Sequence, residues 1–138
     1  MTRWAQSLIK LSNYEVETLQ KRLSEIADQR SQVEMKLAML HAEGEAEQAA
    51  AALDPQNGWR IVHYMQALGV RMDAVRRELH LVQLEEQGVR DSLGKAFETQ
   101  KKYEQVAEQA QILAVKQAGQ REAAQMDELG LRRAAGGR

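Results

Sequence analysis

The chain has 138 residues, 4% of them aromatic, with a single proline and no cysteine. Gln, Glu, Ala, Leu, Lys and Arg dominate, a composition that builds long helices and lacks the large side chains a deep globular core requires. Without cysteine there are no disulfides, no thiolate metal sites and no cysteine nucleophile. Residues 1–69 carry seven basic and nine acidic groups, a net −2, and residues 70–138 carry twelve and eleven, a net +1. Positive charge is nowhere concentrated, so nucleic acid is not expected as a partner. No stretch reaches the roughly 18 apolar residues of a membrane span. Met1-Thr2-Arg3-Trp4 is followed by polar residues, unlike a secretory signal, and the expected location is the cytoplasm.

The first predicted helix covers about residues 4–53. Ile9, Val16, Leu23 and Leu37 form one row at multiples of seven, and Leu19, Ile26, Val33 and Leu40 form a second row interleaved with it. This is the a/d pattern of a coiled coil, with Ser12 and Arg30 as its polar exceptions. Asp54-Pro55-Gln56-Asn57-Gly58 then concentrates turn residues in five positions. Proline cannot continue a helix without losing a hydrogen bond, and Asn57 and Gly58 tolerate positive φ, so residues 54–58 are read as a turn. A second helix is predicted over about residues 59–130. Met65, Met72, Leu79 and Leu93 form one of its rows; Leu68, Val75, Val82, Val89, Ala96 and Tyr103 form the other, with Glu86 and Gln100 as exceptions. The rows thin into Ala107, Ala110 and Ala114, and residues 131–138, with Gly136-Gly137, read as a flexible tail.

A short turn makes the two helices antiparallel neighbours. The expected fold is therefore all-α, a single two-helix antiparallel coiled-coil hairpin whose second helix is the longer. With the fold-back centred near residue 56, Leu40 faces Met72, Leu37 faces Val75 and Val33 faces Leu79. Arg30 and Glu86 then fall in adjacent layers of an otherwise apolar seam. Each charge would be costly there alone, whereas together they pair and set the register. A slip of one heptad would separate them by about three helical turns. In the preferred register Trp4 lies near Glu108, and the second helix overhangs from there to Leu129 by about 30 Å.

No catalytic, metal or cofactor site emerges. His41, His63 and His80 lack the spacing of a helical metal motif such as H-E-x-x-H, and no serine sits in a G-x-S-x-G elbow. Glu85-Glu86 and Asp127-Glu128 are sequence neighbours, so they splay around a helix and form no acid/base pair. Gly44, Gly69, Gly88, Gly94, Gly119 and Gly130 are isolated in helical sequence and mark flexible points, close contacts or neutral positions. Two features carry more weight. At the tip, Trp59, Ile61, Val62, Tyr64 and Met65 crowd the start of the second helix, chiefly as packing against Leu53 and Ala49 to Ala52. On the overhang, Ile112, Val115, Met126 and Leu129 leave the a/d frame and make an apolar stripe flanked by Lys116, Arg121, Arg132 and Arg133, a candidate partner surface.

Three stretches carry a family resemblance. They are Ser7-Leu8-Ile9-Lys10-Leu11 with Tyr14-Glu15-Val16-Glu17 and Lys21-Arg22-Leu23, then Trp59 to Val75 with His63-Tyr64-Met65-Gln66-Ala67-Leu68, and finally Gln125-Met126-Asp127-Glu128-Leu129. In order, spacing and total length the chain resembles the FliJ family of the bacterial flagellar type III export apparatus. The family's Asp-Glu signature is usually followed by alanine, and Gly130 stands in that neighbourhood here. At the tip, Glu43, Glu45, Glu47 and the alanines replace the family's aromatic and polar mix, so no tip contact is carried over. The resemblance implies a cytoplasmic two-helix stalk at the cytoplasmic face of the inner membrane, held there through protein contacts only. It implies as partners the export ATPase ring, the cytoplasmic domain of the export gate and substrate chaperones, with no enzymatic activity and no cofactor. Combined with the overhang, it points to Ile112, Val115, Arg121, Met126, Asp127, Glu128, Leu129 and Arg132 as partner-binding residues. Rival readings are the equivalent stalk of a virulence type III secretion system and a holdase-like coiled-coil chaperone. A long-helix lyase or transferase would require a convergence of polar groups that the sequence lacks.

Overall fold

A computed structural model describes residues 3–136, with the side chain of Asn57 excepted. Helix α1 spans Arg3–Ala52 and helix α2 spans Gly58–Gly136, with a 3-10 turn at Pro55–Asn57 between them. Among the described residues there is no strand. The break is made by Pro55, which stands at the start of the 3-10 turn, where its missing N–H costs nothing. Before it, the amides of Leu53 and Asp54 donate to the carbonyls of Ala50 and Ala51, each at 3.2 Å, tightening the last turn of α1. Gly58 takes φ −58° and ψ −29°, ordinary right-handed helix, and no described residue has positive φ. The turn therefore does not use the left-handed freedom of its Asn-Gly pair. The proline and the shift from α1 to a 3-10 turn accomplish the reversal.

α2 continues to Gly136, six residues past the end read from the sequence. Leu131, Arg132, Arg133, Ala134 and Ala135 all favour helix, and Glu128 pairs with Arg132 at i,i+4, 3.0 Å apart. Of the expected flexible tail, residues 137 and 138 lie outside the described residues.

The chain divides into two compact units, one of Glu17–Gly94 and one of Met1–Val16 with Lys95–Arg138. In the first, rising numbers in α1 meet falling numbers in α2. Lys36 pairs with Glu78, Glu43 with Arg71, and Gly44 lies against Leu68. The pairing is antiparallel. Its buried residues, Ile26, Val33, Gly44, Leu68 and Glu86, all fall on the two heptad rows. Ile26 and Leu68 are fully enclosed, and most of the remaining rows are half-buried, as expected of a narrow two-helix seam. At Gly44 the helices approach closely enough that an added Cβ would sit 2.6 Å from Leu68 Cδ2. Gly44 is thus the floor of the hole that the Leu68 knob fills.

In the second unit the buried positions are smaller: Ala5, Ser12 and Val16 on α1, and Ala96 and Ala107 on α2. The Ser12 hydroxyl donates back to the Ile9 carbonyl at 3.0 Å, so its burial leaves no unpaired donor. Gln100 Nε2 donates to Asn13 Oδ1 at 2.6 Å, a polar layer where the row is interrupted. Every residue from 111 to 136 is exposed.

Candidate partner-binding surfaces

Arg30 occupies a seam position of α1 and Glu86 one of α2. Arg30 Nη1 donates to both oxygens of Glu86, at 2.6 and 2.8 Å. Glu86 also accepts from Arg90 Nη2 at 3.3 Å, one turn along its own helix. The Glu86 side chain is 10% exposed and that of Arg30 is 32%, so the carboxylate is sequestered while the guanidinium stays partly in water. Arg30 Nε is screened from solvent and lies 3.5 Å from Glu34 Oε1, a charge contact without hydrogen-bond geometry. An adjacent exposed pair, Arg22 with Glu85, bridges the same two helices; the carboxylate raises the Arg22 pKa further above its ordinary value. Nothing in the sequence singles out Arg90 or the Arg22–Glu85 pair. Arg90 is four residues from Glu86, a spacing too common in helices to single it out.

At the tip, Trp59 is exposed and meets His63 edge-on with ring centroids 6.4 Å apart, while the Arg60 guanidinium stands 5.3 Å from the Trp59 ring centre. Ile61, Tyr64 and Met65 are half-buried, whereas Leu53 and Val62 stay exposed. A cavity of about 280 Å³ opens there, lined by Glu47, Asp54, Arg60 and Tyr64 over an alanine shelf. The Tyr64 hydroxyl is shut off from water with no partner at good hydrogen-bond geometry. Glu43 is the group that raises it most: the pull of its carboxylate on the phenol proton, then lost solvation and the charges of Glu43 and Glu47, push Tyr64 up to about 12 against the opposing charge of Arg71.

The arm beyond residue 110 is different in kind. Ile112, Val115, Met126 and Leu129 are each more than half exposed. Arg121 and Asp127 project from the same helix into solvent, and Glu128 and Arg132 come together at 3.0 Å. Leu113 and Leu131 are also exposed on this arm. They fall off the stripe, and only their hydropathy in an unpaired segment marks them. Lone exposed apolar residues are ordinary on a protein surface, but six within 20 consecutive residues of an unpaired helix are not.

His41 pairs with Glu45 at 3.2 Å, and among the described residues no three of His, Cys, Asp and Glu gather as a metal site requires. No helix among them is long and apolar enough to cross a membrane.

The family described as "Flagellar FliJ protein" matches residues 5–138. Two relatives, each named "Flagellar FliJ protein" and drawn from two strains of Caulobacter vibrioides, are 53% identical over 139 residues, covering the whole of this chain and of each relative. No solved structure matches the chain.

Proposed function

Because the chain belongs to the flagellar FliJ family, a family of flagellar export components, we propose that it is a cytoplasmic stalk of the flagellar type III export apparatus whose arm, from Ile112 to Arg133, makes the main contact with the export ATPase ring. The observation that carries this reading is the arm itself: helical to Gly136, exposed at every residue from 111, and rich in apolar side chains. A helix with free sides is what a ring lumen can enclose. Burying half of the stripe contributes several kcal/mol at about 25 cal/mol per Å², before the cost of association. Lys116, Arg121, Arg132 and Arg133 flank the stripe and steer it toward acidic groups. The cytoplasmic domain of the export gate and substrate chaperones are the further partners this reading includes. They meet the chain at the inner-membrane face through protein contacts.

The test is a chain ending at Ala110. Its heptad rows are intact, so thermal unfolding of the paired helices should be nearly unchanged, while binding to the purified export ATPase and swimming motility should collapse. Unchanged affinity of the shortened chain would place the ATPase contact on the hairpin and end the arm-insertion reading.

A further inference from the structure

α1 carries a second heptad pattern on the side turned away from its seam. Met35, Met39, Ala42, Ala46 and Ala49 recur at alternating steps of four and three, and Leu53 continues the series just past the helix end. All are exposed, the two methionines by about two-thirds and Leu53 by 88%. Such a stripe on one helix of a coiled coil is what a third helix packs into. The arm of α2 offers the same period: Ile112, Val115, Gly119, Glu122, Met126 and Leu129 step by three and four. At 1.5 Å per residue the two stripes run about 27 and 26 Å.

We propose that the arm of one copy docks antiparallel along the outer stripe of α1 of a second copy. The periods and lengths agree, and the rims carry opposite charge. In this register Met35 lies opposite Leu129, Met39 opposite Met126, Ala46 opposite Gly119 and Leu53 opposite Ile112. The larger side chains meet at both ends and the smallest at the centre, where the helix axes approach most closely. Along one rim Lys36, which also reaches Glu78 across its own seam, comes beside Asp127, and Glu47, at the edge of the tip cavity, comes beside Lys116. Along the other Glu45, now beside His41, comes beside Arg121, and Glu34 and Arg132, each with a neighbour on its own helix in Arg30 and Glu128, come beside one another. No like-charged pair falls together, whereas a parallel docking brings together only Arg121 with Glu43 and Glu47. Glu122 is the one charge on the stripe, opposite Ala42, whose small side chain leaves it a route to solvent. α2 is one unbroken helix from Gly58 to Gly136, so the docking joins copies and does not fold one copy on itself. Arm and stripe are different surfaces, so the contact is head-to-tail and assembles in series with no closed pair as its end point. It does not depend on the flagellar reading.

Sedimentation of the full chain over about a hundredfold range of concentration should show mass rising continuously at low salt and falling back as salt is added. Met39→Glu places a charge in the stripe without touching the seam and should leave a monomer of unchanged helix content. Glu45→Arg and Arg121→Glu should each weaken association about tenfold, and the two together in one chain should restore it. A chain that stays monomeric throughout overturns the proposal. So does association that persists in the Met39→Glu variant, or a double variant no stronger than the singles.

Discussion

The paired segment, residues 17–94, and the arm, residues 111–136, are made from the same residue types and both are helical, yet they treat charge and apolar surface in opposite ways. In the paired segment the apolar rows are covered and the misplaced charges are the tightly held groups, with Glu86 gripped by Arg30 and Arg90. In the arm the apolar residues are bare, and the charges form only local pairs such as Glu128 with Arg132. Helix formation is therefore not what distinguishes structure from function in this chain. A helix whose stripe is already satisfied is scaffold; one whose stripe is open is surface. Most helical stability in proteins comes from packing an amphipathic face, so the arm's order is the weaker of the two.

The largest test of this contrast is at the buried pair. Arg30→Leu should cost about 3 kcal/mol in urea unfolding, because it leaves the Glu86 carboxylate in the seam with Arg90 as its remaining partner, whereas replacing both Arg30 and Glu86 by Leu should be near neutral. A double-variant loss equal to the sum of the Arg30→Leu and Glu86→Leu losses would show that the two groups act independently. That the pair sets the register is our proposal, and a disulfide formed between Leu40→Cys and Met72→Cys reports on it. Cross-linking should stay efficient in the native pair and fall in the double-Leu chain, where a one-heptad slip is no longer penalised. The arm has no position at which a single charge deletion should cost more than about 0.5 kcal/mol.

The glycines divide the same two regions by sign. Gly44→Ala drives a methyl to within 2.6 Å of Leu68 Cδ2, inside a seam where Leu68 is fully buried. Overpacking costs about 1–3 kcal/mol and outweighs the gain of up to about 1 kcal/mol in helix propensity, so Tm should fall. In the dilute monomer Gly119→Ala meets nothing within 4 Å of its own chain, keeps only the propensity gain and should raise the helix signal in circular dichroism without lowering Tm. A rise in Tm for Gly44→Ala would mean that Leu68 finds another rotamer and the close approach is incidental.

This pair of glycines also marks how far the sequence is readable. The two heptad rows and the break at Pro55 are legible because a 3.5-residue period of Leu, Ile, Val and Met, sustained over many turns, fits little besides a helical seam. The proximity of Arg30 and Glu86 follows once the fold-back is centred on the turn. Gly44 and Gly119 look alike in sequence, and only the position of Leu68 on the other helix separates them. Arg90's share of Glu86 depends on side-chain conformers and not on spacing. The helix through residues 131–136 is hidden in the sequence because a glycine pair near the end outweighs five helix-forming residues before it. Of the candidate surface, the apolar stripe is visible as a departure from the a/d frame. Leu113 and Leu131 are not, since nothing in their spacing shows that the arm's other faces are bare.

A smaller effect belongs to the tip of the paired segment. Tyr64 is pushed from 10.0 up to about 12, so the folded chain keeps that phenol's proton after the unfolded chain has lost it. The contribution is complete below pH 10, declines as pH rises from about 10 to about 12 and is gone above that, because in this window the unfolded state binds fewer protons than the folded one. Stability measured across the window should fall less steeply in Tyr64→Phe, and the late step in the tyrosinate absorbance titration should disappear with it. An absorbance titration unchanged by Tyr64→Phe would assign the late phenol to another residue. No counterpart is expected in the arm, which has no tyrosine.

The smallest expected effect is in the arm. Arg132 and Glu128 form an i,i+4 pair at 3.0 Å, but their side chains are 72% and 64% exposed. Pairs of this kind contribute about 0.3–0.5 kcal/mol to a helix and are screened by salt. In the dilute monomer Arg132→Ala should therefore leave the Tm of the paired helices unchanged, because no interhelical contact within the chain is lost. Alanine's own helix propensity offsets part of even that small loss, so amide hydrogen exchange in residues 124–136 should accelerate by less than about twofold. The same substitution removes one of the four flanking cations and should weaken binding to an acidic partner far more than it weakens the helix. If Arg132→Ala lowered the Tm of the dilute monomer by several degrees, the arm would be packed against its own copy, and the division between covered seam and open arm would fail.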